Sequence, residues 1–168
     1  MVIYFSYTLS QALKSIEHSD KKTFHLHTVE SFAQHSKELI DLYGEIKWKI
    51  VDLLNTQYSQ VLSSPFDLYN WLYDHEHDEV AHFLNETGSN VLSYSEFKMP
   101  CAFHLFLGKK GFVIGIEQKG CGFNAKEVDE KKIKENEGAA FNFYRKAKSK
   151  IFFDEPANAK IVYCEYLF

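Results

Sequence analysis

Apolar residues recur along this chain first at helical and then at strand spacing, and the character changes near Pro100. Residues 2–8 are rich in β-branched and aromatic side chains and predict a short strand. Ser10 to His18 predicts a short amphipathic helix with Ala12, Leu13 and Ile16 on one side, and Ser19-Asp20-Lys21-Lys22 reads as a turn. Thr23 to His27 alternates cleanly and predicts a second strand. Thr28, with Glu30 and Ser31 behind it, marks a helix start, after which Phe32, Leu39, Ile40 and Tyr43 recur at helical spacing up to a break at Gly44. Ile46, Ile50, Val51, Leu53 and Leu54 extend a helical pattern to about Leu62. Ser63-Ser64-Pro65 interrupts it, and the next helix is expected from Phe66 to about Leu92, with Gly88 as a weak point.

Beyond Pro100 the expectation is strands. Cys101 to Leu107 and Phe112 to Glu117 form a hairpin around Gly108-Lys-Lys-Gly111. Asn124 to Glu137 is charged and reads as a mobile connection, and Ala139 to Lys148 predicts a short helix. Ile151 to Phe153 and Lys160 to Leu167 make a second hairpin around Pro156-Ala-Asn158. Helices followed by hairpins indicate an α+β fold: a two-layer sandwich of one mixed or antiparallel sheet with helices on one face. Residues 66–168 would form the main domain. Residues 1–65 would be either a strand-helix extension packed on the same core or a helical segment serving dimerisation, within a single globular unit.

The chain has 168 residues, enough for one domain with a substantial core. Its net charge of −4 offers no basic footprint, which argues against nucleic acid as a partner. Cys101, Cys121 and Cys164 are widely spaced and contain no C-x-x-C pair, so reduced thiols in a cytoplasm are expected rather than a disulfide framework or a structural zinc site. The N-terminus lacks the basic and apolar regions of a signal peptide, and no apolar run approaches the ~18 residues of a membrane span.

Candidate chemistry lies in two places. Glu79, His82, Glu86 and Asn90 share one sector of the predicted helix, beside Val80, Phe83, Leu84 and Val91, which would face the sheet. Alone, such a polar stripe is a solvated helix face. With a ligand, Asn90 could coordinate Mg²⁺ through its carbonyl oxygen and Glu86 could orient or deprotonate water. Further on, the apolar run 112–116 stops in Gly120-Cys121-Gly122, where two glycines allow close backbone approach. The Asp74–His82 cluster holds Asp78/His82 and His75/Glu79 pairs at metal-ligand spacing, but no second helix offers a matching Glu-x-x-His and no Cys is nearby, so a solvated, salt-bridged helix face is the default reading. His25 and His27 share a strand face, Cys121 is a candidate thiol, and the lysines of Lys131-Lys-Ile-Lys134 could touch phosphate.

Glu86-Thr-Gly-Ser-Asn90, then two strands, then Ile116-Glu-Gln-Lys-Gly-Cys-Gly-Phe-Asn124, resembles the GHKL ATPase superfamily over roughly residues 80 to 168. That group includes sensor histidine kinases, anti-sigma-factor kinases, gyrase-type topoisomerases and heat-shock chaperones, and the order and spacing here are most similar to the compact kinase types. The resemblance implies an ATP and Mg²⁺ site with Glu86 as base, Asn90 as metal ligand, Gln118 against the adenine, Gly120 and Gly122 as turn glycines, and Gly138 at the phosphates. It further implies that the segment after Asn124 is a lid over the nucleotide. Two positions depart from the family pattern: Gln118 replaces an aspartate, and Gly138 is followed by Ala139 and Ala140 where another glycine is usual. The expected function is therefore a histidine-kinase-like regulatory kinase or slow ATPase with a weakened site. The alternative is an inactive relative that acts by docking a protein partner.

Overall fold

The computed structural model describes residues 3–26, 37–70, 78–96 and 100–168. Its elements are α1 (Leu9–Ser15), β1 (His18–His25), α2 (Lys37–Gln57), α3 (Glu79–Tyr94), β2 (Pro100–Gly108), β3 (Gly111–Gln118), α4 (Ala125–Glu135), α5 (Ala139–Lys146), β4 (Lys150–Phe153), a 3-10 turn (Pro156–Asn158) and β5 (Ile161–Leu167). The five strands form one sheet in the order β1-β2-β3-β5-β4, antiparallel at every pairing rather than mixed.

Strand alternation divides the sheet into two buried faces. Phe103, Leu105, Ile114, Ile116, Val162 and Cys164 point into a large core with residues from α2, α3 and α5. Phe106, Val113, Phe152 and Tyr163 point the other way and are covered by Ala12 of α1 and by Ile16, its C-cap. The expectation of helices on one face is thus corrected: α1 lies opposite the others. The cause is β3, buried on both faces along almost its whole length, a pattern that requires a layer on each side.

Local departures from the sequence reading have clear reasons. Residues 3–8 form a turn instead of a strand; Ile3 is buried and Phe5 stacks on Phe153, so this aromatic segment is held by side chains and by one bond from Tyr4 N to the Ile151 carbonyl. Ser19 to Lys22 lies within β1, with Ser19 at a bulge and Asp20 to Lys22 paired with β2 residues 105–107, because an edge strand can keep polar side chains in water on both faces. Helix α2 runs straight through Gly44, since Leu39, Tyr43, Ile46 and Ile50 bury one continuous face across it. Of the helix expected from Phe66, residues 66–69 are not helical and 71–77 fall outside the described residues; α3 begins at Glu79, where Asp78 caps it by accepting from Ala81 N at 2.9 Å. The charged segment after Asn124 is helical: Asn124 caps it through Glu127 N, and Asn136 closes it in the left-handed region at φ 50°. The predicted strand to His27 ends at His25, and the helix start at Thr28 and Glu30 falls outside the described residues.

Candidate functional site

Three elements end on one cavity of about 630 Å³, within the ~300–1,000 Å³ of typical small-molecule sites. The first is α3. Its apolar sector, Val80, Phe83, Leu84 and Val91, is buried against the sheet, which turns the polar stripe sideways. That stripe divides in two. Glu79 accepts bonds from Lys148 N, from Ser149 N at 2.8 Å and from Ser149 Oγ, while His82 stacks on Phe143 with centroids 4.1 Å apart. Both therefore hold the helix to the start of β4 and to α5. Glu86 and Asn90, one and two turns on, line the cavity. Between them Thr87, 1 % exposed, shares a 2.8 Å hydrogen bond with the Tyr144 hydroxyl, locking α3 to α5 from inside.

The second element is the end of β3 and its turn. Gln118 is buried, and its Nε2 donates to the Cys121 carbonyl while its own backbone N–H donates to Lys160 O at 2.9 Å. The amide thus pins the glycine turn and directs its carbonyl oxygen as the remaining acceptor. Gly120 adopts φ 95°, a left-handed conformation costly for other residues, but it stands outside the cavity lining, whereas Cys121 and Gly122 border it. At Gly122 a Cβ would press on the Asn158 carbonyl oxygen at 2.5 Å. The close approach expected there is therefore made by the 3-10 turn of this same chain. It is sealed by the reciprocal Phe123–Ala159 bonds of 3.0 and 2.7 Å.

The third element is the N-terminus of α5. Gly138 occupies its N-cap at φ 89° with no side chain capping the helix, and Gly138 to Phe141 all line the cavity. Uncapped N–H groups at a helix start attract anions. Lys131 and Lys132 from α4 line the same space, with Lys132 Nζ 5.7 Å above the Tyr94 ring, and Lys160 adds a third cation. Lys134 is exposed and is not part of the lining.

Glu96 is a wall residue with no signal in the sequence. It follows the C-cap of α3, and its Oε2 accepts from Cys121 N at 2.6 Å, clamping the turn to the helix. That backbone bond holds its carboxyl below the usual range. In return the carboxylate pushes the Cys121 thiol up, chiefly through its hydrogen bond. Cys121 is exposed yet is not an activated nucleophile, and Cys164 is buried with its thiol pushed up by desolvation.

The remaining candidates separate from the cavity. Asp78 is committed to capping α3 and to Asp67 N at 2.8 Å, so it does not act with His82 as a metal pair; 74–77 fall outside the described residues. Among the described residues, no group of three or more His, Cys, Asp or Glu could hold a metal ion. His25 lies on the exposed edge of β1, and His27 is outside the described residues. No described helix is long and apolar enough to cross a membrane. Comparison with protein-family models, curated proteins and solved structures finds no match.

Proposed function

We propose that the cavity is a nucleotide site of the GHKL type, taking ATP with Mg²⁺, and that the chain serves as a histidine-kinase-like regulatory domain or slow ATPase. One observation carries this reading: Glu86 and Asn90 from α3, Gln118 and Gly122 from the end of β3, and Gly138 at the uncapped start of α5 all border one space. These residues are dispersed over more than fifty positions of the sequence, and the fold brings them to one space.

In this reading the α5 N–H groups, with Lys131 and Lys132, meet the phosphates. Mg²⁺ usually keeps several waters and binds through one or two protein oxygens plus phosphate, so the Asn90 carbonyl oxygen with Glu86 nearby is a fitting donor set. Glu86 takes the position of a base for a water or a partner hydroxyl. The Gln118 carbonyl oxygen accepts from an exocyclic amino group. A protein partner reading the occupied state is part of the proposal.

A second reading has its own support. The close approach at Gly122 is filled by Asn158, and Gln118 spends its donor on Cys121. Both features stabilise the chain itself, as in a relative that keeps the sandwich and docks a protein without productive ATP binding. A thermal shift titration separates the two. Mg-ATP at millimolar concentration raises the melting temperature of the wild type under the first reading, by mass action on the folded state, and Asn90→Ala removes most of the rise. Equal melting temperatures with and without Mg-ATP select the second.

A further inference from the structure

Lys22, Lys110, Lys131, Lys132 and Lys150 are each paired with a carboxylate, at 2.7 to 4.0 Å. Lys47 of α2 is held differently. Its ammonium donates to a neutral amide, Asn85 Oδ1 of α3, at 2.8 Å and lies 4.4 Å above the Tyr43 ring. Tyr43 is buried, and its hydroxyl is committed to the Leu84 carbonyl. A carboxylate favours the ammonium form of a lysine, and an amide acceptor in a desolvated place does so far less. Lys47 is half-buried and borders an open groove of about 740 Å³ along α2. Gly44, one turn earlier, leaves the approach clear, since a Cβ there would meet nothing within 4 Å. The charged groups that share the groove are Asp41, Glu45, Lys49 and Asp52. All four are exposed, and among the described residues none of the three carboxylates forms an ion pair with Lys47.

We propose that Lys47 is an acylation site, taking the acyl group of an uncharged thioester that enters along this groove. The donor class follows from the lining. Asp41, Glu45 and Asp52 outnumber Lys49 and disfavour an anionic donor such as an acyl phosphate, while Ile40 and Trp48 offer apolar contact to a neutral one. The step balances within the two reactants. The free amine Nζ attacks the thioester carbonyl carbon, and the C–N bond forms as the C–S bond breaks. The thiolate leaves with the bonding electrons and takes up the proton that the amine gives up. The product is a neutral amide whose remaining N–H still suits Asn85 Oδ1. Supply of free amine fits this chemistry: desolvation lowers the Lys47 pKa to about 8, which leaves ~25 % of it uncharged at pH 7.5 against ~0.1 % of an ordinary lysine. Asn85 directly precedes Glu86, so the modification falls at the joint of α2 and α3. It does not depend on what the cavity binds.

Timed treatment of the full chain with the neutral thioester S-acetyl-N-acetylcysteamine at pH 7.5, followed by peptide mapping, reads each lysine separately. Lys47 is expected to be acetylated at least about tenfold faster than Lys49, which shares the helix and the groove but is exposed. Its rate is expected to level off above about pH 8, whereas that of Lys49 goes on rising toward ~pH 10. Asn85→Asp places a carboxylate at the ammonium and is expected to slow Lys47 at least about fivefold while leaving Lys49 unchanged. A melting curve shows whether that variant is folded, and the wild-type comparison stands without it. A smaller margin over Lys49 overturns the proposal, as does a folded Asn85→Asp protein in which Lys47 reacts at the wild-type rate.

Discussion

The Tyr43 hydroxyl sits in the place where Gly88 would carry a side chain, and from there it donates to the Leu84 carbonyl. This joins α2 to α3 at the turn between Glu86 and Asn90, so the contact sets the rotation that aims both at the cavity. Burial, with the Tyr144 hydroxyl nearby, pushes the Tyr43 phenol well above its ordinary value, keeping it a neutral donor. Gly88→Ala should be destabilising despite the helix propensity it gains: overpacking costs about 1–3 kcal/mol against a gain of at most ~1 kcal/mol. Denaturant unfolding of Gly88→Ala, Tyr43→Ala and the double variant measures this. The double variant is expected to be more stable than the sum of the singles predicts, because the clash is absent once the ring is gone.

Gly122→Ala is expected to lower the melting temperature through its overlap with the Asn158 backbone, at a cost of roughly 1–3 kcal/mol. Asn158→Ala should not rescue it, because the carbonyl oxygen remains after the side chain is removed. Rescue by Asn158→Ala would show that the side-chain amide sets the limit.

Gln118→Glu exchanges the donor that holds Cys121 O for a second acceptor facing it. The lost bond and the opposed oxygens are expected to destabilise the turn by about 1–3 kcal/mol. If Mg-ATP binds, its affinity should fall with the order of the turn, which a melting curve and a nucleotide titration on the same variant report together.

Cys121 should be alkylated more slowly at pH 7.5 than a free cysteine, since Glu96 favours its protonated form. Glu96→Gln is expected to accelerate the reaction. Peptide mapping after timed iodoacetamide treatment reads the site directly, and equal rates in the two proteins would break the assigned pairing.

Lys47 lies between α2 and α3, its ammonium 4.4 Å above the Tyr43 ring, and desolvation lowers its pKa to about 8. The unfolded chain, with an ordinary lysine value near ~10.4, holds this proton when the folded chain has released it. Between about pH 8 and pH 10 the unfolded state therefore binds more protons, and the contribution of Lys47 to stability rises with pH. Lys47→Met should be more stable than the wild type at pH 7, and the difference should shrink by pH 9.5. Chemical denaturation at the two pH values, in dilute solution, checks the sign.

Where periodicity and burial agree, the sequence reading and the fold coincide. The hairpin of β2 and β3 follows from two apolar runs around Gly108 to Gly111, and the core face of α3 follows from Val80, Phe83, Leu84 and Val91. The reading fails where local chemistry has two uses. Ser19 to Lys22 has turn composition but is an exposed edge strand. The charged segment after Asn124 looks like a loop but holds helix-capping residues at both ends.

Helical and strand periods and glycine positions are local properties of the chain, so the sequence alone placed the β2–β3 hairpin and the core face of α3, while it misplaced a strand at residues 2–8 and a loop after Asn124. It could not determine the partners of individual residues. That Asn158 fills the space at Gly122, that Glu96 clamps Cys121, and that Tyr43 occupies the notch of Gly88 are contacts between positions far apart in sequence. Only packing of the layers decides them, since each depends on where two elements cross and not on what either would do alone.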